Sequence, residues 1–266
     1  LELMYSFFID TIVIVFLGYA ISHPLFLWLT PIKKIDTSFY RFNLGLSCII
    51  GSLGVIGYIG IESNFISKIY IWLWISLVLI ITAYYWNSKR INNFIITIIS
   101  ILGCFAFFQI IIQISPKSNY LILFFMILLG SMITASVFFS MILGHWYLNV
   151  INLPITLLKR SIVVFSLLLV VRTLWDVIYM SIESVTDSYG ISYNLWAFTF
   201  EFDGFLLAIA MFMGNVVPLI LNLFIWKTLK LQATQSATGL IYVSVLSILF
   251  GDLLFKYYLL KFGFLL

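Results

Sequence analysis

Charge is scarce in this chain. Only 9% of its 266 residues are Asp, Glu, Lys or Arg, against 63% apolar residues, whereas a soluble domain has about 25% and about 45–50% respectively. That supply cannot build a water-facing surface, so most side chains must face lipid or one another. Histidine and cysteine are equally scarce, with two of each. Such a set is too small for a zinc or di-metal centre made from those residues. Cys48 and Cys104 lie inside apolar runs with no CxxC or CxxCH pattern. They read as packing residues, with neither a disulfide nor an iron–sulfur cluster expected. No phosphate-binding loop, HExxH, GxSxG or nucleotide fingerprint occurs. Redox or hydrolytic chemistry beyond proton exchange would therefore need a partner subunit or a cofactor.

Long apolar runs are what the sequence does have. Eight can be drawn, at 4–24, 42–61, 69–86, 92–114, 120–146, 161–181, 204–226 and 237–260. A spanning helix needs about 20 such residues, and barrel strands would alternate apolar with polar residues. The fold class expected is all-α, a polytopic membrane helix bundle of about eight spans forming one integral domain over 1–266. No signal-peptide pattern opens the sequence, so the first run is expected to be a retained span.

Connections after the odd spans hold Lys33, Lys34, Arg41, Lys89, Arg90, Lys159, Arg160, Lys227 and Lys230, with Asp36 as the one acid. The opposite side holds Lys68, Lys117 and Lys261 with Glu2, Glu62, Glu183, Asp187, Glu201 and Asp203. Lys and Arg in short loops mark the cytoplasmic side. Both termini are thus expected outside, in a multi-pass protein of the cytoplasmic (inner) membrane. "LGYAISHPLFLWLTPIKK" (17–34) and "LGHWYLNVINLPITLLKR" (143–160) share Leu-Gly, Pro-Ile and a final basic pair. That suits either a four-plus-four duplication, 1–118 and 119–266, or chance likeness between apolar helix ends.

Ionisable groups inside a membrane are costly and usually face a bundle interior or a water-filled cavity. Arg172 and Asp176 sit one turn apart in span 6, and Asp252 and Lys256 in span 8, spacings that allow pairing. Counted from the helix ends, Asp10, Gln109, Gln113, Arg172, Asp176 and Asp252 all map to the middle or outer half. They are expected to form an outward polar pocket that binds quinone and exchanges protons. The alternative is two local structural pairs, with Lys256 snorkelling to the surface.

His23 and His145 fall at the cytoplasmic ends of spans 1 and 5. "HWY" at 145–147 reads as an interfacial anchor, where aromatic rings meet the wet edge of the bilayer. The alternatives are haem b held between His23 and His145, since two imidazoles are the minimum for such ligation, or a proton or quinone role for one histidine.

Span 2 carries Ser47, Gly51, Gly54, Gly57 and Gly60, small residues that let helices approach closely or leave room for a cofactor. Pro218 should kink span 7 by freeing the carbonyl of Gly214, with Asn215 and Asn222 placed to satisfy freed groups. In the long loop near 182–203, Trp196, Phe198, Phe200 and Phe202 alternate, as expected of a strand-like docking edge or of interfacial aromatics.

Eight spans with both termini outside, Asp, Arg and Gln side chains towards the outer leaflet, and the segment "GHWYLNVINLPITLLKR" together resemble a family. They are similar to the membrane-anchor subunits of molybdenum oxidoreductases, of the polysulfide reductase and dimethyl sulfoxide reductase type. The resemblance is one of architecture over the whole chain. It implies a quinone-binding module for a partner bearing iron–sulfur clusters, generally without haem, with Gln109, Arg172 and Asp176 in the quinone-site role. The alternatives are a small-solute or proton-coupled transporter, and a non-catalytic scaffold within a larger membrane complex.

Overall fold

A computed structural model describes the chain except residues 1, 62–64, 89, 115–118, 151–152, 187–189 and 191, and only the backbone of 2–6. The charge tally at Glu2, Glu62, Lys89, Lys117 and Asp187 therefore falls outside the described side chains. The structure is 84% helical, and eight helices are long and apolar enough to cross a membrane. They are α1 (Glu2–Ser22), α2 (Thr37–Ile59), α3 (Phe65–Asn87), α4 (Asn93–Ile114), α5 (Tyr120–Asn149), α6 (Thr156–Ile182), a three-part span, and α10 (Thr234–Phe262). The three-part span is α8 (Phe205–Met211), a π-helical segment (Phe212–Val216) and α9 (Val217–Lys230).

Several helices start before their apolar runs do. Helix α2 begins at Thr37 because Asp36 caps it, its carboxylate accepting from Ser38 N at 2.7 Å. The Ser38 hydroxyl and N–H together hold the Asp36 carboxyl below the usual carboxylate range. At the other end of α1, Pro24 has no N–H to continue the α ladder. The chain tightens there into a 3-10 helix, His23–Leu29, so the first span runs to Leu29.

Each half closes as a ring of four. In the first, α1 packs on α2, α2 on α3, α3 on α4, and α4 on α1. In the second, α5 packs on α6, α6 on α9, α9 on α10, and α10 on α5. Short connections give this order to any up-and-down set. The rings join where α1 meets α5 and α10. The first span is accordingly 72% buried and α3 only 22%.

The glycine face of α2 is filled by α1. Gly51, Gly54 and Gly57 lie against Ala20, Leu17 and Val13, one turn after another. Leu17 N is close enough that a Cβ at Gly54 would be 3.2 Å from it, so the small residues serve backbone approach, as expected. A cofactor has no room there.

The Pro218 break takes a particular form. The chain widens into the π segment just before the proline, and Ser247 Oγ of α10 donates to the freed Met213 carbonyl at 2.5 Å. Asn215 and Asn222 were expected in that role; their amides are used elsewhere, on Asp176 and Ser166. The outer loop also departs from expectation. A hairpin pairs β1 (Ser184–Thr186) with β2 (Ser192–Asn194), and α7 (Leu195–Phe198) follows, capped by Asn194 Oδ1 on Ala197 N at 2.9 Å. The alternating aromatics therefore form no strand edge. Phe198 is buried in a cluster with Tyr258, Phe262 and Phe264, while Phe200 and Phe202 are 92% and 98% exposed.

Candidate functional site

The second ring holds the charges. Arg172 Nε on α6 lies 3.0 Å from Asp176 Oδ1 and donates to Oδ2 at 3.1 Å. Its Nη1 donates to Met126 O of α5 at 3.3 Å, and its guanidinium lies 4.7 Å from the centre of the Phe255 ring. Asn215, in the π segment, donates from Nδ2 to Asp176 Oδ2 at 2.8 Å, and its Oδ1 lies 3.4 Å from Thr173 Oγ1, whose nearer acceptor is Leu169 O at 2.8 Å. On α10, Lys256 Nζ binds Asp252 Oδ2 at 2.6 Å and Ser131 Oγ at 3.1 Å. Thr134 Oγ1 donates to the same Asp252 oxygen at 3.1 Å.

Gly130 of α5 brings the two ion pairs together. A Cβ there would strike Asp252 Oδ1 and sit 3.3 Å from Arg172 Nη1, so a hydrogen is all this point admits. The result is a row of alternating sign, Lys256–Asp252–Arg172–Asp176, ending on the Asn215 amide. Arg172, Asp176, Asp252 and Lys256 are 4%, 0%, 5% and 2% exposed. Lys256 does not snorkel outward; it points into α5. Two positive and two negative groups cancel, which lowers the cost of holding them in an apolar bundle.

Around this row the space is small. The cavity between Gly130, Arg172, Gly214, Asp252 and Phe255 measures ≈ 10 Å³, about the lower limit for one water. An outward pocket was expected here; the side chains fill it with each other.

The remaining predicted residues lie elsewhere. Asp10 is half-buried on α1, without a hydrogen-bond or ion-pair partner among the described residues. Gln113 joins a separate set in the first ring, where Oε1 accepts from Tyr58 and Ser67, both at 3.0 Å. Gln109, one turn before it, lines a cleft of ≈ 600 Å³ between α3 and α4 with Tyr70, Trp74, Ser76 and Phe105. The indole Nε1 of Trp74 is buried against Gly103 with no acceptor among the described residues. Apolar walls, few polar groups and this size suit a small apolar ligand.

The histidines are not brought together. His23 is fully enclosed, stacked on Tyr19 at 4.8 Å, and does not sit at the water boundary as expected. Asn43 Nδ2 donates to Phe39 O at 2.7 Å, which turns its Oδ1 towards His23 Nε2, 2.9 Å away. Nε2 therefore carries a proton, while Nδ1 faces Ala135 O at 3.4 Å. Both ring nitrogens point at oxygens of α2 and α5. His145 is exposed six residues beyond Phe139, which touches the His23 ring, and six residues of helix span about 9 Å. Trp146 and Tyr147 beside it pack against the core. Replacing Asn43 by Leu should leave the His23 N–H unpaired and cost about 1–3 kcal/mol, read as earlier thermal unfolding in detergent.

Sequence reasoning found the i,i+4 pairs, gave Asn215 a different role beside the Pro218 break, and missed Gly130, Ser131 and Thr134 as members of the site. Their signal was available: residues 130, 131 and 134 are small or hydroxyl-bearing and share one face of an otherwise apolar helix. Among the described residues no group of three or more His, Cys, Asp or Glu could hold a metal ion.

Fold and site together define a multi-pass α-helical protein of membrane type with a compensated charge cluster in one of its two four-helix rings. Comparison with protein-family models, with curated proteins and with solved structures finds no match to this chain.

Proposed function

We propose that this chain is a proton-translocating membrane protein whose working centre is Lys256–Asp252–Arg172–Asp176. One observation carries the reading: four buried ionisable side chains meet beside a π-helical break. Apolar residues of similar volume would hold the bundle together as well or better than ion pairs do, so packing alone gives no reason to keep charges here. Intramembrane carboxylates with cationic partners are the usual parts of proton pathways, and a broken helix beside them supplies the mobile element. Each carboxylate can accept a proton when its cation swings aside, and return it when the pair re-forms. The Lys/Arg bias supports termini on the non-cytoplasmic side of the cytoplasmic membrane.

The test is proton flux. Protein in vesicles loaded with a pH-sensitive dye, with a potassium diffusion potential applied, should acidify or alkalinise the lumen faster than protein-free vesicles. Asp176→Asn, which keeps shape and hydrogen bonds but cannot ionise, should lower that flux at least about tenfold. Equal flux from wild type and protein-free vesicles would end the reading.

A second reading, an electron-transfer subunit that binds quinone, is favoured by Gln109. Its amide faces the ≈ 600 Å³ cleft of α3 and α4, where a ring carbonyl could accept a hydrogen bond. The ≈ 10 Å³ beside Arg172 has no room for such a ring. Partner subunits on the non-cytoplasmic side belong to this reading, as does haem, for which the separated His23 and His145 do not pair. Lipid extracts of purified protein should contain quinone, and Gln109→Leu should deplete it; extracts free of quinone in both would dismiss the idea.

A further inference from the structure

The charge row does not stop at Asn215. Helices α6 and α9 pack side by side below it, and their facing surfaces carry a second polar pair. Asn222 Nδ2 donates to Ser166 Oγ at 2.6 Å. Asn222 is only 6% exposed, yet its Oδ1 has no hydrogen-bond partner among the described residues. A buried amide oxygen left without a donor is costly and has no use in packing.

Spacing relates the two pairs. Ser166 precedes Thr173 by seven residues on α6, and Asn215 precedes Asn222 by seven through the π segment and α9. Seven residues are about two turns, roughly 10 Å of helix. Between the polar levels lie Leu169, three and four residues from Ser166 and Thr173, and Pro218, three and four from Asn215 and Asn222. Those offsets put them on the same helix faces as their polar neighbours, and both are buried. The seam therefore alternates: Asp176 with Asn215 and Thr173, an apolar layer of Leu169 and Pro218, then Asn222 with Ser166. Further along, α6 begins near Lys159 and Arg160 and α9 ends with Lys227 and Lys230, the end of the bundle assigned to the cytoplasm.

We infer that the α6–α9 seam is the route by which protons pass between the basic end of the bundle and Asp176, with Asn222 and Ser166 as an inner relay station and Leu169–Pro218 as the gate. This inference rests on the proton-translocation reading and names its access path. The unsatisfied Asn222 oxygen accepts a hydrogen bond from water entering at that level. The gate lies directly beside the π segment, whose wide turn can re-form as α and shift Pro218 away from Leu169. When it parts, a hydronium ion at the relay gives its proton to the Asp176 carboxylate. One O–H bond breaks, one forms, and a water molecule is left behind. Arg172, Asp252 and Lys256 are the charged groups that face this acceptor side, and no other bond changes.

The flux assay separates the inference from the reading beneath it. Asn222→Leu, which closes the relay with an apolar side chain, should reduce proton flux about tenfold, equivalent to about 1.4 kcal/mol of barrier. Ser166→Ala adds no volume and should lower flux in the same direction. Leu169→Ser should raise it, because a hydroxyl bridges the apolar layer. Each variant is first confirmed to elute as a single species. If Asp176→Asn abolishes flux while Asn222→Leu, Ser166→Ala and Leu169→Ser all match wild type, the seam is not the route and the inference is overturned. If wild type carries no flux at all, the underlying reading fails and takes the route with it. Flux falling in the first two variants and rising in the third supports the route.

Discussion

Lys256→Met alone should be among the most damaging single substitutions in this chain, destabilising it by about 3–5 kcal/mol. The reason is asymmetric. Lys256 Nζ lies 2.6 Å from Asp252 Oδ2, with the pair 2% and 5% exposed. Removing the cation leaves a carboxylate enclosed by α5 and α10, with Thr134 as its remaining hydrogen-bond donor among the described residues. Removing both charges has a different outcome. In Asp252→Leu/Lys256→Met no unpaired charge is left, and stability should return to the wild-type value or exceed it. Proton flux should be lost in both. Chemical unfolding in detergent, combined into a double-mutant cycle, reads the coupling, which should far exceed what independent sites show. A Lys256→Met protein as stable as wild type would mean that the buried pair is not formed.

Gly251→Ala is the second large effect. A Cβ at Gly251 would sit 2.5 Å from Gly214 N and closer still to Gly214 Cα. These are backbone atoms of the π segment and cannot rotate away. Helix α10 and the π segment must therefore move apart, which loosens the Ser247 bond to Met213 O and shifts Asn215 away from Asp176. Overpacking of this kind costs about 1–3 kcal/mol, and flux should fall with it because the gate and the charge row share this contact. Gly239→Ala on the same helix is the control. No atom lies within 4 Å of its would-be Cβ, so the change should be neutral or add up to about 1 kcal/mol through helix propensity. If Gly251→Ala matches Gly239→Ala in thermal unfolding, the close crossing is absent.

The membrane architecture was legible because length and apolarity alone dictate a spanning helix. The i,i+4 pairs were legible because one helix fixes their geometry. What the sequence withheld was azimuth. Counting along the helices placed Asp10, Gln109, Gln113, Arg172, Asp176 and Asp252 in the middle or outer half, but depth does not say which neighbours a face meets. Gln109 and Gln113 belong to α4, which packs on α1, α3 and α5, so they do not join Arg172 on α6. His23 looked interfacial because it falls at the end of the first apolar run; the 3-10 turn that follows α1 instead carries the span on to Leu29 and leaves the imidazole between α2 and α5. Pro218 announced a break and its place, while the π form of that break depended on Ser247 from another helix.

The most direct measurement of the central claim is infrared difference spectroscopy of the purified protein across a pH step, in ordinary and heavy water. If the buried row exchanges protons, a carboxylic C=O band should appear or vanish with pH, shift on deuteration, and disappear in Asp176→Asn or Asp252→Asn. Two carboxylates that stay ionised throughout, with no deuterium-sensitive band traceable to either residue, would make the row a static brace and contradict the account.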